Sequence, residues 1–264
     1  MRARKEGRQG RRNDLIDLMM DSLARELAQD NEGQEQYERD MALEVDSKKA
    51  PLNEEMLVCT AMTFLLAGYD TTASTLAHAA YLLAKHPEEQ TRLQEEVDQA
   101  FEEAAGEFPD YSTVQGLPFL DMVVHETLRL HGPVPVNTRE AAADYTLPGT
   151  TLTLSKGDLV SFAPGGLHRD PQHWAHPDSF HPEHFSKEAK SARSPYAFQA
   201  FGQGPRACIG MRFALLEAKV AILATWRRFS FTPGTKTMEP MEMEPNSALG
   251  YTKGGVWAKV VERG

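Results

Sequence analysis

The sequence contains few cysteines: only Cys59 and Cys208 occur among its 264 residues. Two thiols so far apart in the chain do not form the disulfide framework of a small secreted domain. They are also too few for an iron–sulfur cluster, which needs several cysteines. A reducing compartment, or the cytosolic face of a membrane, therefore fits this composition best.

The sequence also lacks an excess of basic residues. Its 28 Lys and Arg against 38 Asp and Glu give a formal net charge of −10, which argues against a nucleic-acid-binding surface. The exception is the basic stretch 1–12, which we interpret as a solvated lead-in to a helix rather than as a contact for anionic lipid or an acidic partner. We therefore expect no nucleic-acid partner.

A long apolar run is missing as well. The longest one, residues 56–68, is shorter than the ~20 residues that a helix needs to span a bilayer. No apolar segment of the signal-peptide type follows the basic start. We therefore expect no membrane anchor within this sequence.

Hydrophobic periodicity predicts a mainly α chain with a small antiparallel β portion and no clean linker, so that 1–264 is interpreted as one unit. In the longest predicted helix, Asn53 is a capping residue, Glu54 and Glu55 suit the positive end of the helix dipole, and Lys85 lies near the end. This helix is apolar on nearly all sides, so we expect it to cross the interior. Further helices are predicted at 14–29, 86–104, 117–131 and 208–229, a short antiparallel sheet at 144–162, and a hairpin at 247–261.

The stretch "FGQGPRACIG", residues 201–210, places three glycines and a proline around one cysteine. A chance turn, a phosphate-binding loop and a ligand loop for a metal cofactor are the three interpretations. A phosphate loop needs Lys and then Ser or Thr after its last glycine, whereas Met211 and Arg212 follow here. A chance turn explains the glycines but not the joint placement of Arg206, Cys208 and the start of a helix.

A ligand loop accounts for all of these features. Cys208 begins a helical pattern, where the helix dipole and free N–H groups stabilise a thiolate. Gly202, Gly204 and Gly210 allow the backbone to approach a flat macrocycle closely, and Arg206 can neutralise a carboxylate at its edge. A single thiolate that ligates iron points to haem.

The loop is similar to the haem-thiolate signature of the cytochrome P450 family, Phe-x-x-Gly-x-Arg-x-Cys-x-Gly, at every defined position. The resemblance implies the α-rich fold of that family and haem b as the cofactor. It makes Cys208 the axial ligand of the iron and Arg206 an anchor for the haem. The other cofactor-binding residues implied around the thiol are Phe201, Gly202 and Gly210.

The stretch "AGYDTT", residues 67–72, resembles the oxygen-activation segment of the same family. By that resemblance Asp70 and Thr71 are catalytic residues that relay protons. Taken alone, the pair is explained as well by a threonine that bonds back to a helix carbonyl and an aspartate on a wet face. The order of the two motifs along the chain favours the catalytic interpretation.

The stretch "ETLR" places Glu126 and Arg129 on one helix face, three residues apart. Alone this is a surface ion pair worth less than about 1 kcal/mol. The resemblance implies a buried, structural pair that is completed by an arginine from a Pro-Glu-Arg-Phe segment. The matching segment is "PEHF", residues 182–185, in which His184 stands at the arginine position, so we expect a weaker lock because imidazole lacks the guanidinium fork.

Further site residues are implied with less specificity. Arg139 matches a family position that pairs with a haem propionate, and 134–138 and 247–250 resemble substrate-contact loops. Five histidines between residues 168 and 184 raise the alternative of zinc, but no pair has metalloprotease spacing with an intervening Glu. Cys59 is interpreted as a core residue of an apolar helix. The five histidines are His168, His173, His176, His181 and His184.

Together these features resemble the C-terminal half of a P450 from the animal microsomal branch, which contains drug- and steroid-oxidising enzymes and thromboxane synthase. We therefore expect 1–264 to be a partial P450 domain that lacks the N-terminal half and, alone, holds haem weakly and is poorly active. The implied activity is insertion of one oxygen atom from O2 into an apolar xenobiotic, steroid or fatty-acid-like substrate.

The implied partners are NADPH–cytochrome P450 reductase, through which NADPH acts indirectly, and cytochrome b5. The implied location is the cytosolic face of the endoplasmic reticulum membrane, reached through the missing N-terminal part. Two alternatives stay open: a haem-thiolate peroxide isomerase of the thromboxane-synthase type, and a non-catalytic haem-binding fragment.

Overall fold

The computed structural model describes residues 14, 16, 17, 20, 21, 53–245, 247 and 249–264. The chain divides into two compact units, Met1–Tyr69 and Asp70–Gly264. In the first unit the Asp17 N–H donates to Asp14 Oδ1 at 3.1 Å, and Ile16 and Asp17 are helical, as are Met20 and Asp21. These positions agree with the helix predicted at 14–29; the rest of that helix lies outside the described residues.

Helix α1, Glu54–Lys85, begins as the sequence predicts. The Met56 N–H donates to Asn53 Oδ1 at 2.8 Å, which is a side-chain N-cap. The prediction that the whole helix is interior is wrong for its first half, where Leu65 and Leu66 are each 63% exposed. Apart from Leu57, which is 1% exposed, burial along α1 begins near Thr72; Cys59, predicted as a core residue, is exposed.

By length and composition α1 is the one helix among the described residues that could cross a membrane. Its second half contributes core residues such as Leu83, which is fully buried, and a core helix of a soluble domain passes the same test. The test alone is therefore weak evidence for a membrane span.

Four helices of the second unit form the core with the end of α1. They are α2 (Pro87–Glu103), α3 (Tyr111–Gly116), α4 (Pro118–His131) and α7 (Met211–Trp226). Proline occupies the first turn of α2 and of α4, where its missing N–H costs nothing. Apolar side chains at helical spacing meet in one cluster, which includes Leu83, Leu93, Val97, Leu120, Val123, Val124, Ile222 and Leu223.

The described β structure consists of three two-stranded antiparallel sheets. Strand β1 (Asn137–Glu140) pairs with β4 (Leu159–Phe162), and β2 (Tyr145–Thr146) pairs with β3 (Thr153–Leu154). Antiparallel strands are thus present at 144–162, but only β2 and β3 pair with each other there, whereas β4 pairs with β1 in a separate sheet.

The hairpin predicted at 247–261 is wrong. Strand β6 (Lys259–Glu262) pairs instead with β5 (Phe229–Thr232), the strand that follows α7. The preceding segment forms its own isolated bridge between Met243 and Thr252. Period-two patterning identifies strands but not their partners, which are chosen by packing far along the chain.

An irregular region connects β4 to α7. It contains α5 (Pro164–Leu167), α6 (Lys187–Ala192) and 3₁₀ turns at Pro182–Phe185, Pro195–Ala197 and Gly204–Arg206. A second buried cluster forms here around Trp174, Phe185 and Ala197. The observed architecture is mainly α with short antiparallel strand pairs, so the predicted fold class is confirmed.

Candidate functional site

A buried ion pair on α4 ties that helix to the irregular region. Glu126 is 0% and Arg129 is 1% exposed. Arg129 donates from Nε and Nη2 to the two Glu126 carboxylate oxygens, each at 2.8 Å, which is a bidentate pair. Its Nη1 donates to the carbonyls of His168 and Pro177, and Nη2 also donates to that of Ser179. One side chain thereby holds three points of the loop that follows α5.

His184 completes this pair from the 3₁₀ turn, as the sequence motif predicts. Its Nδ1 lies 3.1 and 3.3 Å from the Glu126 oxygens, and its Nε2 lies 2.7 Å from the Ala175 carbonyl oxygen. Both ring nitrogens face acceptors, an arrangement that only the doubly protonated ring satisfies completely. His184 therefore gives Glu126 one ring N–H instead of a guanidinium fork.

A second guanidinium lies close to the contacts among Glu126, Arg129 and His184, which we call the lock. The Arg193 Cζ atom lies 3.7 Å from the centre of the Trp174 ring, and its Nη1 donates to the His184 carbonyl at 2.8 Å. Burial lowers the pKa of Arg193, and the charge of Glu126 opposes that shift. Arg193 thus covers the aromatic cluster beside the position where the family motif has an arginine.

His168 connects the lock to the cysteine loop. It is 1% exposed; its Nδ1 lies 3.2 Å from the Arg129 carbonyl oxygen, and its Nε2 accepts the Gln199 backbone N–H at 2.9 Å. Since Nε2 accepts, the proton sits on Nδ1. Burial lowers the pKa of His168 to about 4, so the neutral ring that this geometry requires persists above that pH. The Gln199 carbonyl in turn accepts the Gly202 N–H at 3.0 Å.

Backbone contacts hold the cysteine loop in shape. The Cys208 N–H donates to the Phe201 carbonyl at 2.8 Å and the Ala207 N–H to the Gly204 carbonyl at 3.0 Å. Gly202 and Gly204 have φ of +70° and +72°, in the left-handed region that glycine adopts without strain. These two glycines let the chain reverse twice within a few residues.

The thiol of Cys208 is exposed at the head of α7. The helix starts at Met211 with Gly210 as N-cap, so Cys208 precedes the first helical residue by three positions. A Cβ placed on Gly210 would lie 3.9 Å from the Cys208 sulfur. The space beside the sulfur is therefore open because position 210 carries no side chain.

The "AGYDTT" segment lies within α1, at the start of the second unit. The Tyr251 hydroxyl lies near the Asp70 carboxylate; partial desolvation and then the influence of this carboxylate raise the pKa of Tyr251. The Thr71 carbonyl accepts the Thr75 hydroxyl at 2.9 Å, and the Thr72 hydroxyl donates to Glu217 on α7 at 3.2 Å. The three polar residues of the motif therefore have separate surroundings, and Asp70 meets a phenol from the C-terminal part.

The two segments that resemble substrate-contact loops meet at one cavity of about 420 Å³. The Gly250 N–H donates to the Pro133 carbonyl at 2.8 Å, which joins them directly. Ala200, immediately before the cysteine loop, also lines this cavity. Its walls from the two loops are Val134, Pro135, Val136, Ser247, Leu249 and Gly250; Ala248 lies outside the described residues.

The two arginines predicted as haem anchors are both exposed. Arg206 lies in the 3₁₀ turn before Cys208. Arg139 lies in β1, opposite Val160, and its Nη1 donates to the Thr138 carbonyl at 2.8 Å. Neither of them lines the cavity of about 420 Å³, whereas Arg139 lines a second cavity of about 350 Å³.

Several contributors to this site carry no motif in the sequence. In the sequence His168 stands out only as one of five candidate zinc ligands, and the structure gives both of its ring nitrogens protein partners. Arg193 and Tyr251 belong to no motif. Contacts between residues 30 or more positions apart leave no local pattern in the sequence.

An exposed thiol in a glycine-rich loop before a partly buried helix, braced by a buried Glu–Arg pair, defines the class of α-rich haem-thiolate proteins. The comparisons with known proteins agree with this class. The cytochrome P450 family model matches residues 3–257. The chain belongs to the cytochrome P450 family.

Thromboxane synthases and P450s of the 3A type are among the relatives that the chain resembles. The chain is 41% identical over 218 residues to "Thromboxane-A synthase" of Mus musculus, covering 82% of this chain and 40% of that protein. It is 42% identical over 198 residues to "Cytochrome P450 3A2" of Rattus norvegicus, covering 75% and 38%. It is 42% identical over 219 residues to "Cytochrome P450 3A31" of Mesocricetus auratus, covering 83% and 42%. The chain thus spans about two fifths of the length of these relatives.

The family implies haem, and the cysteine loop fits that group. It presents one exposed thiol, a residue without a side chain beside the sulfur, and a positive side chain two residues before it at Arg206. A single soft thiolate donor is what haem iron takes from a protein of this class. The described residues contain no group of three or more His, Cys, Asp and Glu that would hold a different metal.

Proposed function

We propose that this chain carries the haem-binding part of a haem-thiolate monooxygenase that inserts one oxygen atom from O2 into an apolar organic substrate. The haem supplies the oxygen-activating redox chemistry when it is bound. Electrons come from NADPH through cytochrome P450 reductase, with cytochrome b5 as a second donor. We place the protein at the cytosolic face of the endoplasmic reticulum membrane, since the microsomal relatives support that location.

The observation that carries this proposal is the exposed Cys208 thiol in its braced loop. Cys208 provides the axial sulfur, and Gly202 and Gly210 leave room for a flat group beside it. The chain Arg129, His168, Gln199 positions the loop through hydrogen bonds of 2.7 to 3.2 Å. Phe201, whose carbonyl accepts the Cys208 N–H, closes the loop.

The remaining roles concern charge and protons. Arg206 and Arg139 would pair with the carboxylates at the haem edge. Their exposed guanidinium groups suit this role. Asp70 and Thr71 hold and deliver protons, and the Tyr251 hydroxyl lies near the Asp70 carboxylate. Glu126, Arg129 and His184 keep the scaffold in place.

The test is the difference spectrum of the haem-reconstituted chain, reduced with CO minus reduced without CO. We expect a strongly red-shifted band, the signature of thiolate ligation. Cys208→Ser should abolish that band. Cys59→Ser is the matched control, because Cys59 is the chain's other exposed cysteine, and should retain it. The same band in both variants, or a band of histidine-ligated or free haem in the wild type, would contradict the proposal.

A second candidate is a haem-thiolate isomerase that rearranges a peroxide without a reductase. The 41% identity to "Thromboxane-A synthase" favours it. The Asp70–Thr71 pair favours oxygenation, since a rearrangement needs no proton delivery to oxygen.

Product analysis with and without NADPH plus reductase separates the two candidates. For oxygenation we expect product only with both, and a loss of at least about tenfold for Asp70→Asn, in line with general acid–base catalysis. Product from a lipid peroxide without reductase, unaffected by Asp70→Asn, would establish the isomerase instead.

A further inference from the structure

A buried histidine on α1 joins the two loops that line the cavity. His78 is 1% exposed. Its Nδ1 lies 3.2 Å from the His131 carbonyl oxygen at the end of α4, and its Nε2 lies 2.9 Å from the Thr252 hydroxyl oxygen. His78 therefore contacts three separate segments: its own helix, the start of the loop after α4, and the end of the loop at 247–250.

The partners determine the tautomer of His78. A carbonyl only accepts, so Nδ1 carries the proton and Nε2 keeps a lone pair. The Thr252 hydroxyl then donates to Nε2 at 2.9 Å, and the Met241 sulfur at 3.3 Å is the competing acceptor for this proton. Burial lowers the pKa of His78 to about 4, with the His131 carbonyl opposing the shift, so the neutral ring is the working form near neutral pH.

The two anchored loops both contribute to the cavity wall. His131 leads into Gly132 and Val134, whereas Thr252 follows Leu249 and Gly250. A Cβ placed on Gly250 would lie 3.2 Å from the Gly132 carbonyl oxygen, so the loops are already at their closest approach there. Since His78 holds both ends without lining the cavity, it determines the spacing of the walls and not their chemistry.

The contact between His78 and Thr252 also bears on the segment that is proposed to deliver protons. Tyr251, adjacent to Thr252, contacts Asp70 on α1. Asp70 and His78 are eight residues apart on one helix, about 12 Å along its axis at 1.5 Å per residue. The Thr252–His78 contact therefore also fixes where the Tyr251 phenol stands.

We propose that His78 and Thr252 are positioning residues that set the width of the substrate cavity and thereby the size of substrate that the protein prefers. This inference rests on the proposed function, because it takes the cavity to be part of the substrate pocket. A purely structural role would instead lower stability and change the affinity for all ligands alike.

The test is a titration of the haem-reconstituted chain with n-alkylimidazoles of increasing chain length, followed by the shift of the Soret absorption band. The probes differ only in the volume that the cavity must accept. For Thr252→Val we expect the ratio of Kd values for the shortest and the longest probe to change about tenfold, since one methylene in a hydrophobic pocket is worth a discrimination of about tenfold or more. Thr252→Ser keeps the hydroxyl and should restore the wild-type ratio.

Ser230→Ala is the matched control. It also deletes a hydroxyl that contacts a side chain of another element, Gln94 at 2.9 Å, but it does so on β5, away from the cavity lining. We expect its ratio to stay at the wild-type value even where its stability falls as much as that of Thr252→Val.

The outcomes distinguish a failure of this inference from a failure of the proposed function. An unchanged ratio in Thr252→Val, with normal binding by the wild type, would overturn this inference and leave the proposed function intact. A wild type that shows no Soret shift with any probe and no thiolate band would overturn both.

Discussion

The region around Glu126 and Arg129 and the loop that carries Cys208 are held by different kinds of contact. In the first region charged side chains are fully buried and saturated with hydrogen bonds to carboxylate and carbonyl oxygens. In the second, residues 203–209 are exposed, and main-chain hydrogen bonds and two glycines with positive φ define the path. His168 is the side chain that links them.

This difference indicates that the region around Glu126 and Arg129 is a scaffold, whereas the cysteine loop is a functional surface. A buried pair keeps its geometry only if every polar atom has a partner, so the first region tolerates few changes. The loop exposes its side chains and leaves a thiol with open space beside it, as expected of a surface that receives a ligand. Changes in the first region should therefore unfold the protein, and changes in the loop should alter ligand binding.

The largest effect is expected from Arg129→Met. It removes five hydrogen bonds and leaves the buried Glu126 carboxylate with only the His181 N–H and the His184 ring as partners. Breaking a buried pair from one side costs about 3–5 kcal/mol. Urea unfolding followed by circular dichroism measures this loss, and the thiolate band should disappear with it.

The control is Lys253→Ala, in the exposed pair with Glu242 whose side chains are 61% and 60% exposed. Exposed pairs contribute about 0–1 kcal/mol. Similar losses for the two variants would contradict the contrast between a buried scaffold pair and surface pairs.

An effect of intermediate size is expected on the free energy of unfolding at acidic pH. The pKa of His168 is lowered from 6.5 to about 4 by burial. Between these values the unfolded chain binds a proton that the folded chain does not, so the free energy of unfolding falls as pH falls from 6.5 to 4 and this residue adds no further loss below. Its share is on the order of 1–3 kcal/mol.

His78 and His131, with pKa values of about 4 and about 3, contribute with the same sign. His168→Asn should therefore reduce the slope of unfolding free energy against pH by up to one proton in this window without removing it. The measurement is urea unfolding at several pH values from 7 to 4. Parallel profiles for wild type and variant would show that His168 does not link the two regions in its neutral form.

The smallest effect on stability is expected within the loop. Gly204→Ala meets no atom within 4 Å, so its cost is the left-handed backbone alone, about 1 kcal/mol. Gly210→Ala has an ordinary φ of −87° and should cost less, yet its methyl group would lie beside the Cys208 sulfur.

Melting temperature and the ferrous–CO band, measured together, test this pair. Gly204→Ala should lower the melting temperature more, and Gly210→Ala should reduce the thiolate band more. The reverse order would mean that space beside the sulfur is not what the missing side chain at 210 provides.

The sequence by itself determined the features that depend on short-range rules. Spacing, capping and chain-breaking residues predict the cysteine loop with its family signature. They also predict the start of α1 at Asn53, the start of α2 at Pro87 and the end of α4 at Gly132. The mainly α fold class follows from periodicity. These properties need no knowledge of what lies across the molecule.

The tertiary structure alone decided which residues meet. It placed β6 on β5 instead of in a local hairpin, left Leu65 and Leu66 exposed on an apolar helix, and gave His168 a role between the lock and the loop. It also brought Thr252 to His78 across 174 positions of the chain. Such contacts depend on packing and on the partners available to buried polar atoms, and no local pattern encodes either of them.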